Sequence, residues 1–160
     1  MAKRKASHDP LWRFLFLLYC AGMFWLLFCR SAGWVDGYTY REQLRQNVNL
    51  TPLYTISNYL YVLKAGNDPY LIRHCFINLA GNVLLFIPTG WLLPRIWKKQ
   101  QNFFRFFITC TGAVFLVETI QLFTLLGSFD VDDWILNLIG MTIGYVGFHL
   151  LGKKMAGRTP

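Results

Sequence analysis

FFITCTGAVFLVETIQLFTLLGSFDVDDWILNLIGMTIGYVGFHLL, residues 106–151, is the stretch that decides the fold. It holds two apolar runs, Phe106–Leu126 and Trp134–Leu151, separated only by Gly127–Asp133. A hydrocarbon core about 30 Å thick takes about 20 apolar residues of helix to cross. Each run reaches or approaches that length, and the second, being short, starts deeper or sits with little tilt. The link is too short for anything but a tight turn. The stretch therefore predicts two membrane helices packed as an antiparallel hairpin.

Upstream, Cys75–Pro94 and Leu11–Cys29 read the same way. The chain has 160 residues, 54% hydrophobic and 18% aromatic, with a mean hydropathy of +0.33. That is one domain's length and too apolar for water as its main solvent. The expected fold class is all-α: a polytopic membrane protein of four transmembrane helices with an outer interfacial amphipathic helix. Residues 1–10 and 152–160 are expected to be cytoplasmic tails. The domain is expected to span 11–151, with an outer loop over 30–70.

The net charge of +8 is set by topology. Lys3, Arg4, Lys5, Arg13, Arg95, Lys98, Lys99, Arg105, Lys153, Lys154 and Arg158 fall on one side of a chain that crosses four times. Arg30, Arg41, Arg45, Lys64 and Arg73 fall on the other, with most of the acidic residues. The positive-inside bias puts both termini in the cytoplasm, and no nucleic-acid partner is implied. The first run is longer than a signal-peptide core and lacks a small-residue cleavage site, which predicts an uncleaved anchor. Cys20, Cys29, Cys75 and Cys110 lie within or at the ends of spans. Their spacing suggests neither a disulfide framework nor zinc, so they read as small apolar packers.

The outer loop carries Trp34, Tyr38, Tyr40, Tyr54, Tyr59, Tyr61 and Tyr70, as suits the headgroup level. Leu53, Ile56, Leu60 and Leu63 recur at helical spacing and predict a helix lying on the surface. Val48–Leu63 is too polar and too short for a fifth span. The second span contains Pro88 and Pro94 and is expected to kink. Asn78-Leu79-Ala80-Gly81 echoes Asn137-Leu138-Ile139-Gly140, but so few matched positions do not establish a repeat.

Chemistry concentrates where polar groups enter the apolar spans. An Asp at a helix centre costs about 2.5–3.5 kcal/mol on insertion scales, so Glu118 needs a partner or a function. Gln121 shares its face at i+3, and Val114 is expected to face lipid. Asn78 and Asn82 sit at i, i+4 on the second span. Asp133, Asn137, Gly140 and Gly144 form one stripe on the fourth. Helix capping by at least one of Asp130, Asp132 and Asp133, and interhelical hydrogen bonding by the asparagines, are the plain structural alternatives. Yet three spans bring polar groups to one depth, which predicts a binding site of Asn78, Asn82, Glu118, Gln121, Asp133 and Asn137. Glu118, Asp130 and Asp133 are the candidates should a reaction occur. His8, His74 and His149 lie too far apart to meet, so no metal or cofactor is expected.

At these same residues the chain resembles the VanZ-like family, linked to teicoplanin-type antibiotic resistance. The pattern runs through Asn49-Leu50-Thr51-Pro52, Asn78-Leu79-Ala80-Gly81-Asn82, Phe86-Ile87-Pro88 and Gly90. It continues with Glu118 and Gln121, then Phe129-Asp130-Val131-Asp132-Asp133, Asn137 and Gly140. Family members often carry Arg where this chain has Gly127. If that Arg pairs with an acidic site residue, Arg45 or Arg73 would supply the charge here. The resemblance implies a bacterial cell-membrane protein that reduces sensitivity to lipoglycopeptides by binding, shielding or altering an outer-leaflet or cell-wall component. The partner would be a membrane lipid, a lipid-linked cell-wall precursor or the antibiotic itself. Two other classes stay open. One is an enzyme acting on a lipid-linked precursor through Glu118 with Asp130 or Asp133. The other is a small transporter or accessory subunit with Glu118 as proton site.

Overall fold

The computed structural model describes residues 10–29, 33, 35–66 and 68–156. Residues 1–9 and 157–160, with Lys3, Arg4, Lys5 and Arg158, lie outside the described residues, as do Arg30 and Trp34. Helix α1 spans Pro10–Phe24 and ends in a π-helical turn, Trp25–Cys29. Helices α2 (Tyr40–Gln46) and α3 (Tyr54–Ala65) follow. The remaining long helices are α4 (Pro69–Ile96), α5 (Phe103–Thr124) and α6 (Val131–Ala156). Four helices are long and apolar enough to cross a membrane: Pro10–Cys29, Pro69–Ile96, Phe103–Thr124 and Val131–Leu151. The chain is an all-α multi-pass membrane protein. Its loop end carries α2, α3 and the α5–α6 turn, and its terminal end carries the α4–α5 link.

The side chains sort as lipid solvent requires. Phe104 is 72% exposed while Phe106, two positions on, is fully buried. The buried core joins Met23, Phe86, Leu93, Phe106, Cys110, Val114, Met141 and Tyr145. Val114 therefore faces the bundle and not lipid. Its place at i−4 from Glu118 puts both on one face of α5. Between lipid-embedded helices the driving force is close packing, because apolar burial gains little there. The most extensive pairing is between α4 and α6, and glycine makes it. A Cβ on Gly140 would overlap the Val83 carbonyl, and one on Gly144 the Ile87 carbonyl. Gly81 has open space instead, so the echo between the two Asn-Leu segments does not extend to their packing. Helix α4 runs continuously through Pro88 and Pro94. The Tyr19 hydroxyl donates to the Leu85 carbonyl at 2.7 Å, tying α1 to α4 just before Pro88.

Helix α4 begins six residues before the apolar run marks its start. Asp68 caps it by accepting from the Tyr70 N–H at 2.8 Å, and Pro69 occupies the first turn, where its missing donor is harmless. Hydropathy finds the membrane, while caps find the helix. Ahead of it, α3 turns Ile56, Tyr59, Val62 and Leu63 inward as partly buried residues. The expected stripe needs two corrections. Leu53 lies ahead of the helix with φ 65°, and Leu60 is 46% exposed. Helix α2 opens on a capping box of Thr39 and Glu42. The Thr39 hydroxyl and N–H hold the Glu42 carboxyl below the usual range.

Two two-residue strands, which hydropathy does not reveal, complete the loop end. Val48–Asn49 (β1) pairs in parallel with Phe129–Asp130 (β2), with Val48 opposite Phe129 and Asn49 opposite Asp130. This pairing fastens the long loop to the α5–α6 turn.

Candidate functional site

The polar residues of α4, α5 and α6 meet at the loop end. Asn82, Glu118, Gln121, Asp133 and Asn137 line one cavity of about 170 Å³, completed by Ser128, Leu26 and Leu27. The glycine-mediated approach of α6 to α4 puts Asn82 against Asp133, and its amide donates to that carboxylate. Glu118 is 6% exposed and Asn137 4%. The backbone N–H of Asp130 faces the Glu118 carboxyl. The side-chain oxygen of Asn137 is buried with no hydrogen-bond partner. A buried acceptor left unmatched costs about 1–3 kcal/mol, so an occupant with a donor fits this wall.

Gln121 holds the cavity's shape. Its amide donates to the Leu27 carbonyl at 2.9 Å, in the π-helical turn that ends the first span. Its own carbonyl accepts the N–H groups of Leu126 and Gly127 at 3.0 and 3.2 Å. The cavity is thus bounded by an α1 end that α5 pins in place. Helix α3 packs nearby against α4 and α6. Burial pushes the Tyr59 phenol above its usual range, and the charge of Asp133 adds to the effect.

Asp130 and Asp132 serve the scaffold. The Asp130 carboxylate accepts from Thr55 Oγ1 at 2.6 Å, from Asn49 Nδ2 at 3.3 Å and from the Asp132 N–H at 2.8 Å. Asp132, fully buried, accepts from the N–H groups of Leu53 and Ile56 at the start of α3. Two of the three aspartates are therefore caps or clamps, and Asp133 alone of them lines the cavity. Asp130 is not among the lining residues, and its oxygens accept hydrogen bonds from the scaffold.

Two expected members also stand apart. Asn78 lies one turn outward, where its amide donates to the His74 carbonyl at 2.9 Å, and it is not among the lining residues. Arg45 is exposed on α2, and Arg73 is exposed on the first turns of α4. Neither lines the cavity, so neither supplies the charge that an Arg at position 127 would bring. Hydropathy and spacing missed Ser128, Leu26 and Leu27. The first sits in the turn, and the others belong to a span that carries no polar signal.

The sequence pattern of the VanZ/LLP1 family matches residues 16–152. "Protein VanZ" of Enterococcus faecium is 28% identical over 142 residues, covering 88% of this chain and 73% of that protein. No solved structure matches. The matched region takes in the last three spans, most of the first and every lining residue of the cavity: the chain belongs to the VanZ/LLP1 family.

Proposed function

We propose that this protein lowers sensitivity to teicoplanin-type lipoglycopeptides by holding the head group of an outer-leaflet lipid or lipid-linked cell-wall component in the loop-end cavity. The cavity itself carries the reading. Asn82, Glu118, Asp133 and Asn137 converge from three membrane helices on one space, where polar groups are costly unless used. The unpartnered Asn137 oxygen supports an occupant. The charge bias of the sequence supports a loop end that faces outward. Occupancy shields the component from the antibiotic.

A second reading rests on Glu118 and Asp133 lining the same cavity. Two carboxyl groups in unlike surroundings can divide acid and base roles, so alteration of a lipid-linked precursor has the necessary groups. Lipid mass spectrometry of cells with and without the protein separates the two. A new or depleted lipid species favours the enzyme, and an unchanged pool favours shielding.

The test of the site is teicoplanin susceptibility with Glu118→Gln, Asn82→Ala and Asp133→Asn, beside the exposed control Leu116→Ala. The first three should return cells to the sensitivity of an empty strain, while the control should not. Equal resistance from all four at equal expression reduces the cavity to helix packing.

A further inference from the structure

Resting on that reading of the cavity, we propose that its occupant is a membrane lipid whose head carries a free primary amine, with its acyl chain in the groove between α1 and α5. The lining groups decide the head. Glu118, Asp133 and Asn137 present two carboxyls and an unpartnered amide oxygen, and among the described residues no Lys, Arg or His lines the cavity. A phosphate seated there would meet like charge and few donors. A primary ammonium has the opposite character, with three N–H donors and no acceptor. Its three donors match the carboxyl of Glu118, the second oxygen of Asp133 and the free oxygen of Asn137. Among the described residues no cluster of three His, Cys, Asp or Glu is placed to hold a metal ion. An ammonium makes no such demand on coordination number. Hydrogen bonds between a charged donor and a carboxylate are roughly twice as strong as neutral ones, which favours the amine over a hydroxyl-bearing head.

The second observation is the groove. A cavity of about 250 Å³ lies between α1 and α5, with Phe86 and Met141 at its back. It is lined by Tyr19, Cys20, Met23 and Leu27 on one side and by Ala113 and Val117 on another. Leu27 also lines the polar cavity, so the two spaces adjoin across one side chain. Leu27 sits in the π-helical turn Trp25–Cys29, a distortion that recurs at functional sites. An apolar channel beside an acidic cup is the shape of one amphiphile, tail beside head. Charge complementarity at the head commits the groove to that lipid's chain.

The test is native mass spectrometry of the full chain in detergent with three palmitoyl lysolipids: lysophosphatidylethanolamine, lysophosphatidylcholine and lysophosphatidylglycerol. They share the tail and the phosphate and differ in offering a cationic donor, a cation without a donor, and neutral hydroxyl donors without a cation. The ethanolamine lipid should be retained about tenfold better than the other two, from charge-assisted hydrogen bonding. Glu118→Gln and Asp133→Asn should erase that preference. Ala113→Trp and Cys20→Phe fill the groove from opposite helices. Each should weaken retention of the palmitoyl lipid but not of its hexanoyl analogue, with folding checked by thermal melting. Equal retention of the three heads, or a preference untouched by Glu118→Gln, overturns the amine. Chain-length dependence that survives both groove variants overturns the tail's position. Loss of resistance in Glu118→Gln cells alongside equal head retention defeats only the head chemistry. Amine preference alongside intact resistance defeats only the resistance reading.

Discussion

Asp132, in the first turn of α6, accepts the backbone N–H of Ile56 at 3.0 Å, across 76 positions of sequence. It also accepts the N–H of Leu53, the residue held at φ 65° ahead of α3. The carboxylate serves as an N-terminal cap supplied from another helix, and the positive end of the α3 dipole favours its charge. It explains how a leucine keeps a left-handed conformation ordinarily left to glycine or asparagine. The same contact ties the start of α3 to the first turn of α6.

Asp132→Ala should therefore loosen α3 before it unfolds the bundle. Losing hydrogen bonds to a buried charged group costs about 2–3 kcal/mol. Asp132→Asn keeps one acceptor and should cost less. Hydrogen exchange of the full chain in detergent should show faster exchange at Leu53–Ile56 in the alanine variant. Unaltered protection there means that the cap is ornamental.

The spans were legible in the sequence because lipid imposes length and polarity directly. Glu118, Asn82, Asp133 and Asn137 were legible as a group for the same reason. Hydropathy alone turns Val114 toward lipid, whereas its i−4 relation to Glu118 gives the buried face. The division of labour among Asp130, Asp132 and Asp133 was not legible. All three sit in one turn, and the pairing of β1 with β2 brings Asp130 and Asp132, but not Asp133, onto the start of α3. That pairing is two residues long, below what periodicity reveals.

The α4–α6 contact predicts opposite outcomes for glycines of similar appearance. Gly144→Ala drives a methyl into the Ile87 carbonyl and the Gly90 backbone. Overpacking of this kind costs about 1–3 kcal/mol. Gly81→Ala meets nothing within 4 Å and should stabilise α4 by about 0.5–1 kcal/mol through helix propensity. Thermal melting in detergent reads both. A Gly144→Ala protein as stable as the parent contradicts the close contact.

The charge bias predicts the orientation, which is open to direct labelling. In a chain stripped of Cys20, Cys29, Cys75 and Cys110, Lys64→Cys should react with an impermeant maleimide added to intact cells. Lys98→Cys should react only after permeabilisation. Both positions are exposed, so access is limited by the membrane alone. The reverse pattern would turn the cavity toward the cytoplasm and remove the outer-leaflet partner.

Asn137 distinguishes a site from a packing contact most sharply. Its side chain is 4% exposed and its oxygen has no partner. Were the residue only interhelical glue, its replacement would remove stabilising hydrogen bonds. An orphaned acceptor predicts the opposite sign. Asn137→Leu removes an uncompensated polar atom and should hold stability level or raise it by about 1 kcal/mol, within the limits set by the leucine's larger volume. The same change removes one wall of the polar cavity, so teicoplanin resistance should fall. Stability conserved at the expense of function is the pattern of a group kept for an occupant. Thermal melting in detergent and susceptibility of expressing cells, measured on one variant, decide the matter. Lower stability with full resistance would make Asn137 part of the scaffold and leave the cavity without the acceptor that marks it as a binding site.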